Sequence, residues 1–271
     1  SDSRSEDQTT GDEATGDAFK PGAQRTDTIM LVHLTKKRDK AYVVSIPRDS
    51  WVDIPGHGTA KVNASYSYGG APLLIQTVEQ LTDVRVDHLA IIDFAGFKGM
   101  TSALDGVDVN VAQTTTDPRS GRTFPAGVNH LEGEAALDFV RQRYGLPRGD
   151  LDRVQRQQSF MRALMAKTVS AGTLKNPLKV DDFLQAVTKS VSTDDSLSGG
   201  DMRSLALSLR GMRSDDVTFM TAPVAGLGSE RGQSIVRLDK AKCAELWDAL
   251  RKDKMAAYLS SAQGNDVSVV R

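Results

Sequence analysis

From residue 28 onward the chain alternates apolar runs with polar interruptions, and the period of each run predicts its element. Positions 29–34, Ile-Met-Leu-Val-His-Leu, are apolar almost throughout, which predicts a strand buried on both faces. After a charged turn at 36–40, the run at 41–46 predicts a second strand, antiparallel to the first. Pro47 ends it, because proline cannot donate to a sheet ladder, so Arg48 and Asp49 fall at a strand end. Pro72 suits the first turn of a helix reaching about residue 81. Further strands are predicted at 88–94, 107–111, 217–221 and 234–237, and helices at 96–104, 132–140, 150–170, 180–191, 201–210 and 239–252. On the long helix at 150–170, Val154, Met161, Leu164, Met165 and Thr168 share one stripe, which marks the side that faces the core. Residues 114–123 read as a turn-rich loop.

No internal repeat or long Pro-rich linker divides the chain. Strands and helices alternate irregularly after an opening hairpin, which predicts one α/β domain with a mixed central sheet flanked by helices on both faces, an α-β-α arrangement over residues 1–255. Residues 5–24, rich in Asp, Glu, Gly and Thr, read as a flexible loop, and 256–271 as a loosely held tail. The composition is that of an ordinary globular protein, with 39% hydrophobic and 25% charged residues in 271. A net charge of −1 excludes a global pull on nucleic acid, so any anion site must be local. The lone Cys243 cannot form an intrachain disulfide and reads as a packed thiol in an amphipathic helix. No apolar run of 18 residues and no signal peptide is visible. The chain starts at Ser1-Asp2-Ser3-Arg4 without a methionine, as expected of a fragment separated from an N-terminal anchor.

Charge is concentrated at 141–162: six arginines (141, 143, 148, 153, 156 and 162) against Asp150 and Asp152, net +4 in a nearly neutral chain. If the helix at 132–140 ends before Arg141, the chain beyond is extended and Arg141 and Arg143 point the same way; in a continuing helix they would stand about 200° apart. Arg153, Arg156 and Gln157 fall at i, i+3 and i+4 near the start of the next helix, the positive end of its dipole. Guanidinium forks at these places suit phosphate oxygens taken in pairs. On the run alone, a solvated basic face with pairs such as Asp152–Arg156 is the commoner reading of such a charge cluster.

Two further clusters add to this one. Arg25-Thr26-Asp27-Thr28 leads into the first strand, and Pro47-Arg48-Asp49 leaves the second. A hairpin of this length brings Asp27, Arg48 and Asp49 to one sheet edge, giving oxygen ligands for a hard cation and cations for the rest of a phosphate's charge. Each cluster alone also reads as turn chemistry. There is no phosphate-loop Gly-x-x-x-x-Gly-Lys, no Gly-x-Ser-x-Gly, and no zinc spacing among His33, His57, His88 and His130. His33 reads as a satisfied core residue and His57 as a turn residue.

In order along the chain, Arg25-Thr26-Asp27-Thr28, Ser45-Ile46-Pro47-Arg48-Asp49, Lys61-Val62-Asn63-Ala64-Ser65-Tyr66, Asp93-Phe94-Ala95-Gly96-Phe97, Leu104-Asp105-Gly106-Val107-Asp108-Val109, His130-Leu131-Glu132-Gly133-Glu134, Arg141-Gln142-Arg143 and Asp152-Arg153-Val154-Gln155-Arg156-Gln157 resemble the LytR–CpsA–Psr family. The resemblance covers about residues 25–165. It implies an enzyme anchored by a single span at the outer face of the cytoplasmic membrane of a Gram-positive-type or actinobacterial cell. Such an enzyme transfers a glycopolymer from a polyprenyl-pyrophosphate carrier to peptidoglycan as a phosphodiester. It further implies that Arg25, Arg48, Arg141, Arg143, Arg153 and Gln157 bind the pyrophosphate and that Mg²⁺ (or Mn²⁺) is held by Asp27 and Asp2. Asp2 matches the family's Gly-x-Asp-x-Arg in all but the glycine, which would precede residue 1. The family's apolar lipid tunnel falls on the apolar residues of 73–104, which read as plain core just as well.

The implied mechanism has Arg48 and Arg153 stabilising charge on the transferring phosphoryl group and Asp49 or Asp27 as the base. Two alternatives stand beside it: a phosphohydrolase that uses water on the same carrier, and a non-enzymatic glycan-binding wall module. Aromatic residues make up only 6%, and Trp51 and Trp247 are distant in sequence, which speaks against an aromatic sugar platform.

Overall fold

The structure, a computed structural model, describes residues 26–147, 149–170, 184–185, 188–261 and 269–270. In chain order its elements are β1 (Ile29–Leu34), β2 (Ala41–Ile46), β3 (Trp51–Ile54), β4 (Gly58–Lys61), α1 (Val62–Thr82), β5 (Ala90–Ile92), α2 (Phe94–Ala103), β6 (Val107–Val111), β7 (Thr115–Thr116), β8 (Thr123–Phe124), β9 (Gly127–Leu131), α3 (Gly133–Arg141) and α4 (Asp150–Ser170). They continue with β10 (Val191–Thr193), α5 (Gly199–Ser208), a 3₁₀ turn at Ser214–Asp216, β11 (Val217–Thr221), β12 (Val224–Glu230), β13 (Gln233–Leu238), α6 (Lys240–Arg251), α7 (Met255–Ser260) and β14 (Val269–Val270).

The central sheet runs β1-β2-β11-β14, with β1 antiparallel and β11 parallel to β2. It is mixed, as expected, and its side chains split by the period of two. Tyr42, Val44 and Ile46 join Leu74 and Val78 of α1, Leu246, Trp247 and Leu250 of α6, and Met255 and Tyr258 of α7. Ala41 and Val43 pack with Val217 and Phe219 against Met161 and Met165 of α4. Helices therefore cover both faces. Full burial of a side chain such as Val44 or Phe219 contributes about 1.5–3 kcal/mol. A third cluster sets β6 and β9 against α3 and α4 through Val107, Val109, Leu131, Phe139, Phe160 and Leu164.

Several expectations are corrected. Burial on both faces holds for β2 but not β1, an edge strand on which Val32 is 57% exposed. The strand expected at 88–94 shortens to Ala90–Ile92, because Asp93 caps α2 by accepting from Gly96 N at 2.7 Å. Residues 114–123 contribute to a short hairpin, β7–β8. The helix expected at 180–191 lies mostly outside the described residues, and Val191 instead starts β10, paired with β5. The expected tail at 256–271 does not begin at 256: α7 packs on the core, with Met255 and Tyr258 buried. The loop expected at 5–24 lies outside the described residues. The β3–β4 hairpin, β9, β12 and the first half of α1 carried no expectation. Helix α1 bends at Gly69–Gly70, where Gly70 takes φ 63, and Pro72 sits just past the bend, so the expected proline start marks its second half.

Candidate active site

The antiparallel register pairs Ile29 with Ile46, so two residues further out Asp27 comes opposite Arg48. The Arg48 guanidinium donates through Nη1 to Asp27 Oδ1. Its Nε lies 3.5 Å from Asp49 Oδ2, and Lys61 Nζ lies 2.9 Å from Asp49 Oδ1. The backbone beneath is pinned at each residue: Asn63 N donates to Arg48 O (3.2 Å), Val236 N to Asp49 O (2.9 Å), Val62 N to Ser50 O (2.8 Å) and Ser50 N to Pro47 O (2.9 Å). Two carboxylates and two cations thus stand at one sheet edge on a loop fixed by its main chain. The expected meeting of Asp27, Arg48 and Asp49 is found; Lys61 is an addition.

Two glutamines tie helix α4 to its neighbours, one to the sheet and one to α3. Gln158, fully buried, donates through Nε2 to Ser45 Oγ (3.0 Å), Met220 O (3.0 Å) and Thr221 Oγ1 (3.1 Å), at the ends of β2 and β11. Gln157 donates to the Val140 carbonyl at 3.2 Å, which satisfies an acceptor at the end of α3. Arg153 lies one turn before Gln157 on the same helix and is 5% exposed.

Helix α3 ends at Arg141, one residue later than expected. Gln142 then turns extended (φ −55, ψ 127) and is buried, while Arg141 before it is half-buried and Arg143 after it exposed. The expected extended stretch carrying both arginines is corrected: Arg141 is the last helical residue, and only Arg143 lies past the helix end. The Arg141 guanidinium carbon lies 4.0 Å from the Phe94 ring centroid, and that of Arg143 lies 5.4 Å from Tyr144.

Arg156 departs from the expected common face with Arg153. Its Nη1 donates to Gln142 Oε1 (2.7 Å) and its Nη2 to Thr115 Oγ1 (2.5 Å), and it lies over Phe139 (4.5 Å) and Phe124 (5.5 Å). Burial lowers its pKa, against the opposing pull of Asp152 and Asp117. It braces the interior rather than the edge. A stripe at i, i+3, i+4 spans enough of a helix surface for its members to meet different neighbours.

Arg25, Asp2 and Arg148 lie outside the described residues. Among the described residues no three His, Cys, Asp or Glu side chains gather as a metal cage. The donor chemistry of Asp27 nevertheless fits Mg²⁺: a carboxylate, one-fifth exposed, beside the arginine edge, where such an ion takes one or two carboxylates and draws its other ligands from phosphate and water. Lys61 and Phe94 carried no expected role. Lys61 ends a strand that was not anticipated, and Phe94 meets Arg141 only across the fold.

The LytR_cpsA_psr family model matches residues 1–252. The chain is 37% identical over 242 residues to the cell wall biosynthesis protein LcpA of Corynebacterium glutamicum, a match covering 79% of this chain and 46% of LcpA. It is 34% identical over 197 residues to the polyisoprenyl-teichoic acid–peptidoglycan teichoic acid transferase TagU of Enterococcus faecalis, covering 72% of this chain and 63% of TagU. The fold superposes on the crystal structure of B. subtilis TagV with a TM-score of 0.77 at 26% identity, covering 88% of this chain and 92% of that one. The chain thus spans about half the length of LcpA and less than two thirds of TagU.

Proposed function

The chain belongs to the LytR–CpsA–Psr family, and we propose that it transfers a glycopolymer from a polyprenyl-pyrophosphate carrier to peptidoglycan. The observation that carries this reading is the sheet edge at which Arg48 joins Asp27 and Asp49 while Gln157 and Gln158 hold the start of α4 alongside. Preorganised cations on a pinned backbone are what phosphoryl transfer needs, since its catalysis is positioning and charge stabilisation.

In this mechanism Arg48, Arg141, Arg143 and Arg153, with Gln157 and Arg25, grip the pyrophosphate. A peptidoglycan hydroxyl attacks the phosphorus that bears the glycopolymer. The bond from that phosphorus to the bridging oxygen breaks, and polyprenyl monophosphate leaves. The hydroxyl proton passes to Asp49 or Asp27, both of which contact Arg48. Arg48 and Arg153 stabilise the charge that develops on the phosphoryl oxygens. Asp27 and Asp2 would hold Mg²⁺ (or Mn²⁺), which would supply neutralisation of the pyrophosphate charge. The relatives' names place their own work in wall synthesis, and the same setting, the outer face of the cytoplasmic membrane with an N-terminal anchor, is proposed here. No described helix is long and apolar enough to cross a membrane.

The test is incubation of the protein with a polyprenyl-pyrophosphate glycan, with and without peptidoglycan. Transfer dependent on the acceptor, with release of lipid monophosphate, supports the proposal. Equal release without acceptor marks a hydrolase, and retention without turnover a binding module. Arg153→Ala abolishes transfer with the circular-dichroism spectrum retained; wild-type rates in that variant overturn the assignment.

A further inference from the structure

We propose that Phe94 is a positioning residue for the substrate's pyrophosphate, its ring face holding the Arg141 guanidinium in place; this rests on the arginine reading of the site. The guanidinium carbon stands 4.0 Å from the ring centroid, well inside the roughly 6 Å reach of a cation–π contact. Among the described residues Arg141 has no carboxylate and no hydrogen-bond acceptor, so the ring is its holding contact. Other arginines are spent differently. Arg156 gives its two terminal nitrogens to Gln142 and Thr115, and Arg122 gives its Nε to Asp138. Stacking engages the flat face of the cation and leaves the N–H fork for an exogenous anion.

The backbone that carries the ring is fixed from two sides. Phe94 is the first residue of α2, directly after Asp93, whose buried carboxylate caps the helix at Gly96 N. Gly96 lies so close to the Ser190 carbonyl that a Cβ there would come within 2.2 Å of its oxygen, so the first turn of α2 sits hard against the chain leading into β10. A free arginine has about 2 kcal/mol of rotamer entropy to lose on gripping an anion. A ring carried on a pinned first turn, already in contact with the guanidinium, removes part of that loss before substrate arrives. The motif Asp93-Phe94-Ala95-Gly96 thereby gains a role: cap, platform and close approach serve one arginine 47 positions away.

The test is titration of the protein with inorganic pyrophosphate by calorimetry at fixed ionic strength. Position 94 is varied as phenylalanine, its mono-, di- and trifluoro derivatives, cyclohexylalanine and leucine, each in the wild-type and Arg141→Ala backgrounds. Stepwise fluorination drains the ring's negative face at nearly constant shape, so affinity falls with each fluorine. Phe94→Leu and cyclohexylalanine weaken binding about three- to ten-fold. In Arg141→Ala the whole series is flat. Loss of affinity in Arg141→Ala with a flat fluorination series in the wild-type background overturns the role of Phe94 alone. Failure of the wild type to bind pyrophosphate, or an Arg141→Ala protein that binds as well, overturns the anion site and this inference with it.

Discussion

Gln158 and Ser45 lie 113 positions apart in sequence and are joined by a 3.0 Å hydrogen bond at the end of β2. The same amide nitrogen reaches the Met220 carbonyl and Thr221 Oγ1, so one side chain ties α4 to two parallel strands three residues before Arg48. Gln158→Leu keeps the volume and removes the donor, which leaves a buried backbone carbonyl unmet. The expected cost is about 2–3 kcal/mol in chemical denaturation. Pyrophosphate affinity should also fall, because Arg153 rides on the same helix; a variant as stable as wild type would show the clamp to be idle.

Arg153 and Arg156 are one helical turn apart and separate by experiment. Arg156→Ala removes the donor to Thr115 Oγ1, leaves Gln142 Oε1 with only the Thr115 hydroxyl at 3.5 Å, and uncovers Phe139, so stability should fall by about 1–3 kcal/mol. Pyrophosphate affinity of the folded protein should be unchanged. Arg153→Ala should instead weaken pyrophosphate binding roughly ten- to hundred-fold, the scale of a charge-assisted hydrogen bond. Paired calorimetry and denaturation curves decide the matter, and a loss of affinity in Arg156→Ala would return that residue to the anion site.

Where the hydrophobic period was strong, the fold was legible. Helix α4 and strand β6 have the bounds the pattern predicts, and α3 runs one residue past its expected end. What was hidden had weak local preference. The first half of α1, Val-Asn-Ala-Ser-Tyr-Ser-Tyr, is rich in residues that compete with helical hydrogen bonds, and it forms because Val62, Ser65 and Tyr66 are buried. Strand β12, with Gly226 and Gly228, exists through its pairing with β13. The Asp27–Arg48 meeting was readable because hairpin register is local. Arg141 on Phe94 and Asp49 with Lys61 join separate elements, which no spacing along the chain encodes.

Asp194 closes the β5–β10 pair whose chain locks Gly96. The Ser196 hydroxyl holds its carboxyl well below the usual carboxylate range; the Leu89 N–H at 2.8 Å, His88 and the Ser196 N–H add to the effect, against burial. A carboxyl depressed in the folded state contributes stability that is present above its unfolded pKa of about 4 and is lost as pH falls through the folded value. Asp194→Ala should therefore be less stable than wild type at pH 7, with the gap closing below about pH 4. Denaturant midpoints across that range test this; a gap independent of pH would place the effect in packing instead.

Tyr258 is 8% exposed, and its hydroxyl has no hydrogen-bond partner among the described residues. Burial pushes its pKa up to about 12, with Glu245 and Cys243 adding to the shift. The ring supports the core while the hydroxyl is a net cost, so the two halves of the side chain separate by substitution. Tyr258→Ala should lose about 3–5 kcal/mol, as a large side chain leaving a cavity does. Tyr258→Phe should match wild type or gain up to about 1 kcal/mol, because a buried group with no partner is removed. The pH dependence has a definite sign. An acid raised in the folded state contributes stability that is present below its unfolded pKa of about 10 and lost as pH rises through about 12. Cys243, also buried and pushed up to about 12, adds a loss of the same sign. Tyr258→Phe should thus retain more of its stability than wild type between pH 10 and 12, and combining it with Cys243→Ala should flatten the alkaline limb further. A Phe variant that loses 1 kcal/mol or more at pH 7 would mean that the hydroxyl has an acceptor in solution.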